Sequence, residues 1–150
     1  MHLPFNLAAG MLAASCAGPQ TMTNDSLRIT LDVPEEVPAG KPVPIVIRLQ
    51  NGGSRPLDLY LRGRNIAFDI FITRPDGSVA WQRLKDDVIP AIVQLKTLRP
   101  GETLELKHEW DQRNDRGEPV GPGSYMVRGA VLTDGATPLE TASAPLRIQR

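Results

Sequence analysis

Short apolar stretches that alternate with polar residues, each closed by a Gly, Pro or Asn turn signal, most limit what this chain can form. The clearest is Leu27-Arg28-Ile29-Thr30-Leu31-Asp32-Val33. A period of two puts Leu27, Ile29, Leu31 and Val33 on one face of a half-buried strand. The same pattern predicts strands over Val43–Gln50, Leu57–Leu61, Ala67–Thr73, Val79–Gln82, Ile92–Leu98, Leu104–Trp110 and Tyr125–Leu132, with a last one near Ala144–Gln149. Between them stand Asn51-Gly52-Gly53, Pro75-Asp76-Gly77, Arg99-Pro100-Gly101-Glu102 and Asp134-Gly135. Asn-Gly and Asp-Gly tolerate positive φ, so these segments read as tight turns, the first as a hairpin joining two neighbouring strands. Many short strands at this spacing predict an all-β fold, an antiparallel β-sandwich of about seven to nine strands. The Pro-rich run from Pro34 to Pro42 and the polar run from Gln112 to Gly123 are expected to be loops.

The chain has 150 residues, enough for one domain of ordinary size without disulfide staples. Its 17 basic and 17 acidic residues cancel, so no net field draws it to nucleic acid. The lone cysteine, Cys16, can form neither an internal disulfide nor a cysteine-based zinc site. Its setting is informative. Residues 3–15 carry no charge, are mostly apolar, and lead into Leu12-Ala13-Ala14-Ser15-Cys16. That pattern predicts a lipoprotein signal peptide over residues 1–16, with Cys16 lipidated. Met1-His2 supplies no Lys or Arg ahead of the apolar run. Residues 17–25 are expected to be a flexible tether and residues 26–150 the sandwich domain. The expected location is the cell envelope, with membrane contact only through the N-terminal lipid; the alternative is a cytoplasmic chain.

No constellation for chemistry is visible, and no catalytic residue, metal or cofactor is expected. His108 lies on the apolar face between Leu106 and Trp110, but no nucleophile-elbow pattern accompanies it. Asp86-Asp87 and Asp111…Asp115 match no calcium loop and read as solvated turn acids. Phe68, Trp81 and Trp110 fall on core faces, and Tyr125 opens a strand where its hydroxyl could bond back across a sandwich corner. Arg62 and Arg64 belong to a basic stretch on the solvent face, a candidate docking patch.

Taken in order, several marks resemble the BsuPI family, bacterial intracellular-proteinase-inhibitor domains. They are Phe68-Asp69-Ile70-Phe71 across Asp76-Gly77 to Val79-Ala80-Trp81, then Pro100-Gly101-Glu102, Trp110-Asp111, and Pro122-Gly123-Ser124-Tyr125. Val37-Pro38-Ala39-Gly40 and Asn51 also fit, and the resemblance covers about residues 27–149. It implies an immunoglobulin-like sandwich, a protein partner such as a serine protease, and inhibition by steric blockade through a surface loop. Val88-Ile89-Pro90-Ala91 is the candidate loop, since apolar residues and a proline suggest an exposed, preorganised segment. Arg62-Gly63-Arg64-Asn65 stands where the family often has Ser-Gly-Gln, and Trp81-Gln82-Arg83-Leu84 where it often has Trp-Arg-x-Ser. These departures lie in surface-prone loops and leave open a second role: a lipid-anchored, protein-binding module of the cell envelope without inhibitory activity.

Overall fold

The computed structural model describes residues 22–24 and 26–150, and it has no helix among them. Twelve strands follow in order: β1 Met22–Asn24, β2 Leu27–Asp32, β3 Glu36–Pro38, β4 Val43–Asn51, β5 Leu57–Arg62 and β6 Phe68–Thr73. The second half holds β7 Val79–Gln82, β8 Val93–Leu98, β9 Thr103–Trp110, β10 Gly123–Val131, β11 Leu139–Glu140 and β12 Ala144–Gln149. One sheet has the order β1-β2-β4-β9, and the other β3-β12-β10-β6-β7 with β11 beside β10. β5 and β8 form a separate two-stranded ribbon. The pairing β2-β4-β9 against β12-β10-β6-β7 is the immunoglobulin arrangement, strands A-B-E against G-F-C-C′.

Alternation explains the sandwich. Ile29, Leu31, Ile45, Ile47, Leu49 and Leu106 from one sheet meet Ile70, Ile72, Val127, Leu146 and Ile148 from the other in a single buried cluster. Each such side chain contributes roughly 1.5–3 kcal/mol on burial. The sheets approach closely at Gly129, where a Cβ would lie 2.6 Å from Ile47 Cδ1. A larger residue there would overpack the core.

All nine expected strands are present, with ends shifted by at most a few residues. Three short strands were not expected. β1 falls inside the segment read as tether, pairing antiparallel with β2 through Met22↔Ile29 and Asn24↔Leu27. The sheet therefore begins ahead of the expected domain start at residue 26. β3 lies inside the Pro-rich run and pairs parallel with β12, an exception to the all-antiparallel expectation. β11 pairs with β10 through Ala130↔Glu140 and Val131↔Leu139.

Asn51-Gly52-Gly53 is not a hairpin between neighbouring strands. β4 pairs with β2 and β9, whereas β5 pairs with β8. None of these three residues has positive φ. Asn51 is instead fully buried at the pivot where the chain leaves one sheet for the ribbon. Its Nδ2 donates to the carbonyls of Arg55 at 2.7 Å and Leu98 at 2.9 Å, and its Oδ1 accepts from Gly53 N at 2.9 Å. The ribbon spans to the second sheet, where Arg62 N donates to Leu132 O and Asp134 N to Tyr60 O, both at 3.1 Å.

Candidate partner-binding site

The loop that links β7 to β8 is held firmly at both ends and left free at its tip. Its descending limb is fixed by Asp69, a buried carboxylate on the outward-facing side of β6. Asp69 Oδ1 accepts from Leu84 N and Ile70 N at 2.9 Å each, and Oδ2 accepts from Gln82 Nε2 at 2.6 Å. Arg83 adds two further ties. Its N–H donates to Ile70 O at 2.9 Å, and its guanidinium lies 3.9 Å from the centre of the Phe68 ring while donating to Phe68 O. Lys85 Nζ reaches Asp115 Oδ2 at 3.7 Å.

The ascending limb is stitched to the turn after β5. Gly63 N donates to Ile92 O at 2.8 Å, and Gln94 Nε2 donates to the carbonyls of Gly63 at 2.7 Å and Arg64 at 2.8 Å. Gly63 has φ +90°, and a Cβ there would lie 2.5 Å from Asn65 O, so this turn requires glycine. Among the described residues, the backbone of 88–91 makes no hydrogen bond. Val88 is 92% exposed, while Ile89 is half-buried and Pro90 exposed. Ile89 and Pro90 line a shallow open groove together with Arg64, Ile66, Arg83 and Leu84.

Two candidates read separately from the sequence, the Val88-Ile89-Pro90 loop and the Arg62/Arg64 stretch, thus meet on one side of the molecule. Arg64 is exposed in the groove wall. Arg62 is half-buried and stands opposite Val93 in the ribbon. The outer face of the ribbon is also apolar, with Tyr60 50%, Val93 43% and Leu95 55% exposed. Together with Val88 and Ile92, these residues make up most of the exposed large hydrophobic side chains among the described residues. Scattered apolar residues are ordinary on a surface; a concentration of them marks a contact site.

The remaining candidates are structural. Trp110 is fully buried, stacks on Trp81 at 5.9 Å between ring centres, and meets Tyr125 edge-on at 6.4 Å. Phe68 is buried at the start of β6. Tyr125 Oη donates to Gly121 O at 2.6 Å, the tyrosine corner of an immunoglobulin sandwich. His108 is half-buried and stacks on Trp81 at 5.5 Å. Burial, and next the nearby Arg83 charge, hold its pKa below the usual histidine value, against Asp111 and Glu109, so the ring is neutral at pH 7. Asp86 and Asp87 are exposed, and Asp115 binds the edge of β7 through Gln82 N at 3.0 Å. Among the described residues, no three His, Cys, Asp or Glu side chains are grouped to hold a metal. Cys16 lies outside the described residues.

The sequence reading missed two polar residues. Asp69 stands in Phe68-Asp69-Ile70-Phe71 at a position where alternation points to solvent, and nothing in the sequence marks it as the loop's anchor. Gln112 opens the polar run expected to be a loop, yet its side chain is buried, with φ 61°. Its Nε2 donates to Pro38 O at 2.9 Å and Lys41 O at 2.7 Å, and its Oε1 accepts from Gly40 N at 3.1 Å. Proximity to the Trp110-Asp111 pair was the only available signal for it.

These features define an immunoglobulin-like domain that carries an anchored, apolar-tipped loop. The chain belongs to the BsuPI family, described as intracellular proteinase inhibitors, whose profile matches residues 29–135. No curated protein matches it in sequence. Among solved structures it is similar to the C-terminal domain of wzt, at TM-score 0.51 and 12% identity over 90% of this chain and 80% of that one. It is also similar to the CARDB domain of a Pyrococcus furiosus protein, at TM-score 0.44 and 14% identity over 85% of this chain and 93% of that one. A further likeness is to the DNA glycosylase AlkC of Pseudomonas fluorescens, at TM-score 0.44 and 15% identity over 81% of this chain. The chain spans 30% of AlkC's length. At these identities the likeness concerns the fold alone.

Proposed function

We propose that this protein inhibits a serine protease by steric blockade, with residues 88–91 as the segment that enters the substrate cleft. The observation that carries this reading is a loop tied at both limbs whose tip has no backbone partner among the described residues and whose Val88 side chain is 92% exposed. Pinning the limbs lowers the entropy lost on binding, and a free apolar tip supplies the contact. Membership of the BsuPI family supports the choice of a protease as partner.

The test is titration of the purified protein against subtilisin-like and trypsin-like proteases. Val88→Asp should weaken inhibition by roughly 30-fold or more, the loss of a central apolar contact of about 2 kcal/mol. Its unfolding temperature should stay unchanged, because the side chain touches solvent rather than core. Full inhibition by the Val88→Asp protein would move the contact away from this loop.

A second reading is a lipid-anchored binding module of the cell envelope. The exposed apolar face of Tyr60, Val93 and Leu95 favours it, since that face lies outside the loop tip and suits a protein surface. The uncharged run ending at Cys16 supports the anchor and the envelope location. Fatty-acid labelling in a bacterial host should mark the parent protein, and Cys16→Ser should remove both the label and membrane association. An unlabelled parent in the soluble fraction would sink the anchor.

A further inference from the structure

We infer that the open edge of β8 pairs with β8 of a second copy, joining two ribbons into one four-stranded sheet. In an antiparallel ladder, facing residues alternately exchange two backbone bonds or none. The bond from Gly63 N to Ile92 O sets the phase, with β5 and β8 in the register Leu61↔Gln94, Tyr60↔Leu95 and Leu59↔Lys96. Gln94 and Lys96 therefore bond inward to β5. Val93, Leu95 and Thr97 point their N–H and C=O groups away from the ribbon. The far side of β5 obeys the same phase, because Arg62 N and Tyr60 O are the groups that bond to Leu132 and Asp134.

On β8 these outward groups have no backbone partner among the described residues. Other sheet edges are treated differently. At β7, Asp115 N donates to Ala80 O at 3.1 Å, and Asp115 Oδ1 accepts from Gln82 N at 3.0 Å; β9, also an edge, carries Glu105, Lys107 and Glu109. Proteins normally cover, charge or shorten an exposed edge. Here the outward positions are the apolar Val93 and Leu95 and the neutral Thr97, flanked by Tyr60 across the ribbon.

The sequence of β8 favours a second copy as the occupant. A two-fold axis at Leu95 sets Leu95 against Leu95 of the second copy and Val93 against its Thr97. All three outward-facing residues on each strand then exchange main-chain bonds. Lys96, the single charge of the strand, faces Gln94 of the second copy. Shifting the axis to Lys96 sets ammonium against ammonium, and shifting it to Gln94 places Thr97 opposite Ala91 in the loop. One register therefore satisfies both the hydrogen bonds and the charges. Tyr60 and Leu95 of both copies would then form one apolar strip. An edge contact of this length is smaller than a standard interface, so the dimer should be reversible. Each loop tip at 88–91 precedes its own β8 and stays free at opposite ends of the joined sheet.

Sedimentation velocity of the purified protein, from low micromolar to several hundred micromolar, should show a concentration-dependent dimer. Leu95→Lys places like charges across the two-fold axis and should weaken the dimer at least about tenfold. Leu95→Glu should do the same. An equimolar mixture of the two variants should restore dimerisation, because opposite charges then face each other; a merely structural defect would not be rescued. Leu95→Pro removes only an outward N–H and should also give a monomer with an unchanged far-ultraviolet spectrum. A parent protein that stays monomeric throughout, a dimer that survives Leu95→Lys, or a mixture that does not reassociate would each overturn the proposal.

Discussion

Replacing Trp110 with alanine should destabilise the domain by about 3–5 kcal/mol, the range for deleting a large, fully buried aromatic. Three separate losses add up at this position. The indole is fully buried, so its removal opens a cavity between β9 and the opposite sheet. Its neighbours Trp81, at 5.9 Å, and Tyr125, at 6.4 Å, lose the ring they pack against. Its Nε1 donates to Arg113 O at 3.0 Å, so a carbonyl that shapes the start of the β9–β10 loop loses its partner. Since a domain of this kind has only about 5–15 kcal/mol in total, the variant should lie near the limit of folding. Trp110→Phe separates the terms. It keeps most of the volume and loses the donor, so it should cost about 1–2 kcal/mol. Urea unfolding of both variants measures this, and an alanine variant within 1 kcal/mol of the parent would falsify the placement of the Trp110 side chain in the core.

The strands were legible because each buries one face and keeps the other in water, which forces a period of two. β1, β3 and β11 were not, since two or three residues are too few to display a period. β3 was further masked by the prolines around it; what makes it a strand is distant, the bonds Arg147 N to Glu35 O and Ala39 N to Gln149 O, both 2.7 Å. Asn51-Gly52-Gly53 has hairpin residues but a different task, because the Asn51 amide is spent on two carbonyls that lie beyond the adjoining turn. Local turn chemistry does not reveal which sheet the next strand joins.

The candidate site divides in the same way. The apolar, proline-containing loop was visible in Val88-Ile89-Pro90. That Arg64 lines the groove beside it was not, because the two segments are brought together by the β5–β8 register and by Gly63 bonding to Ile92. Buried polar anchors are the least legible class. Asp69 and Gln112 occupy positions where alternation or loop composition predicts exposure, and only the assembled backbone supplies the donors and acceptors that make their burial tolerable.

Asp69→Ala is expected to show how much depends on such an anchor, with a loss of about 3 kcal/mol. The carboxylate is 7% exposed and accepts three hydrogen bonds, from Ile70 N, Leu84 N and Gln82 Nε2. Alanine leaves two backbone N–H groups and an amide without their acceptor in a place water reaches poorly. Asp69→Asn is the informative partner. Its carbonyl oxygen can still accept from the two N–H groups, and the Gln82 amide can turn its oxygen toward the new NH2 group, so about 1 kcal/mol should be lost. The loop should respond more than the core does. With Leu84 N released, the descending limb keeps the Arg83 and Lys85 ties and its own turn bonds, Lys85 N to Gln82 O and Asp87 N to Leu84 O, but the tip at 88–91 loses the carboxylate that joins its base to β6. Limited digestion by a protease that the protein does not inhibit should therefore cut the Asp69→Ala variant within residues 84–91 first, at denaturant concentrations where the rest of the domain is still folded. Cleavage that appears only with global unfolding, or equal stability of the alanine and asparagine variants, would show that the loop is held by something other than this carboxylate.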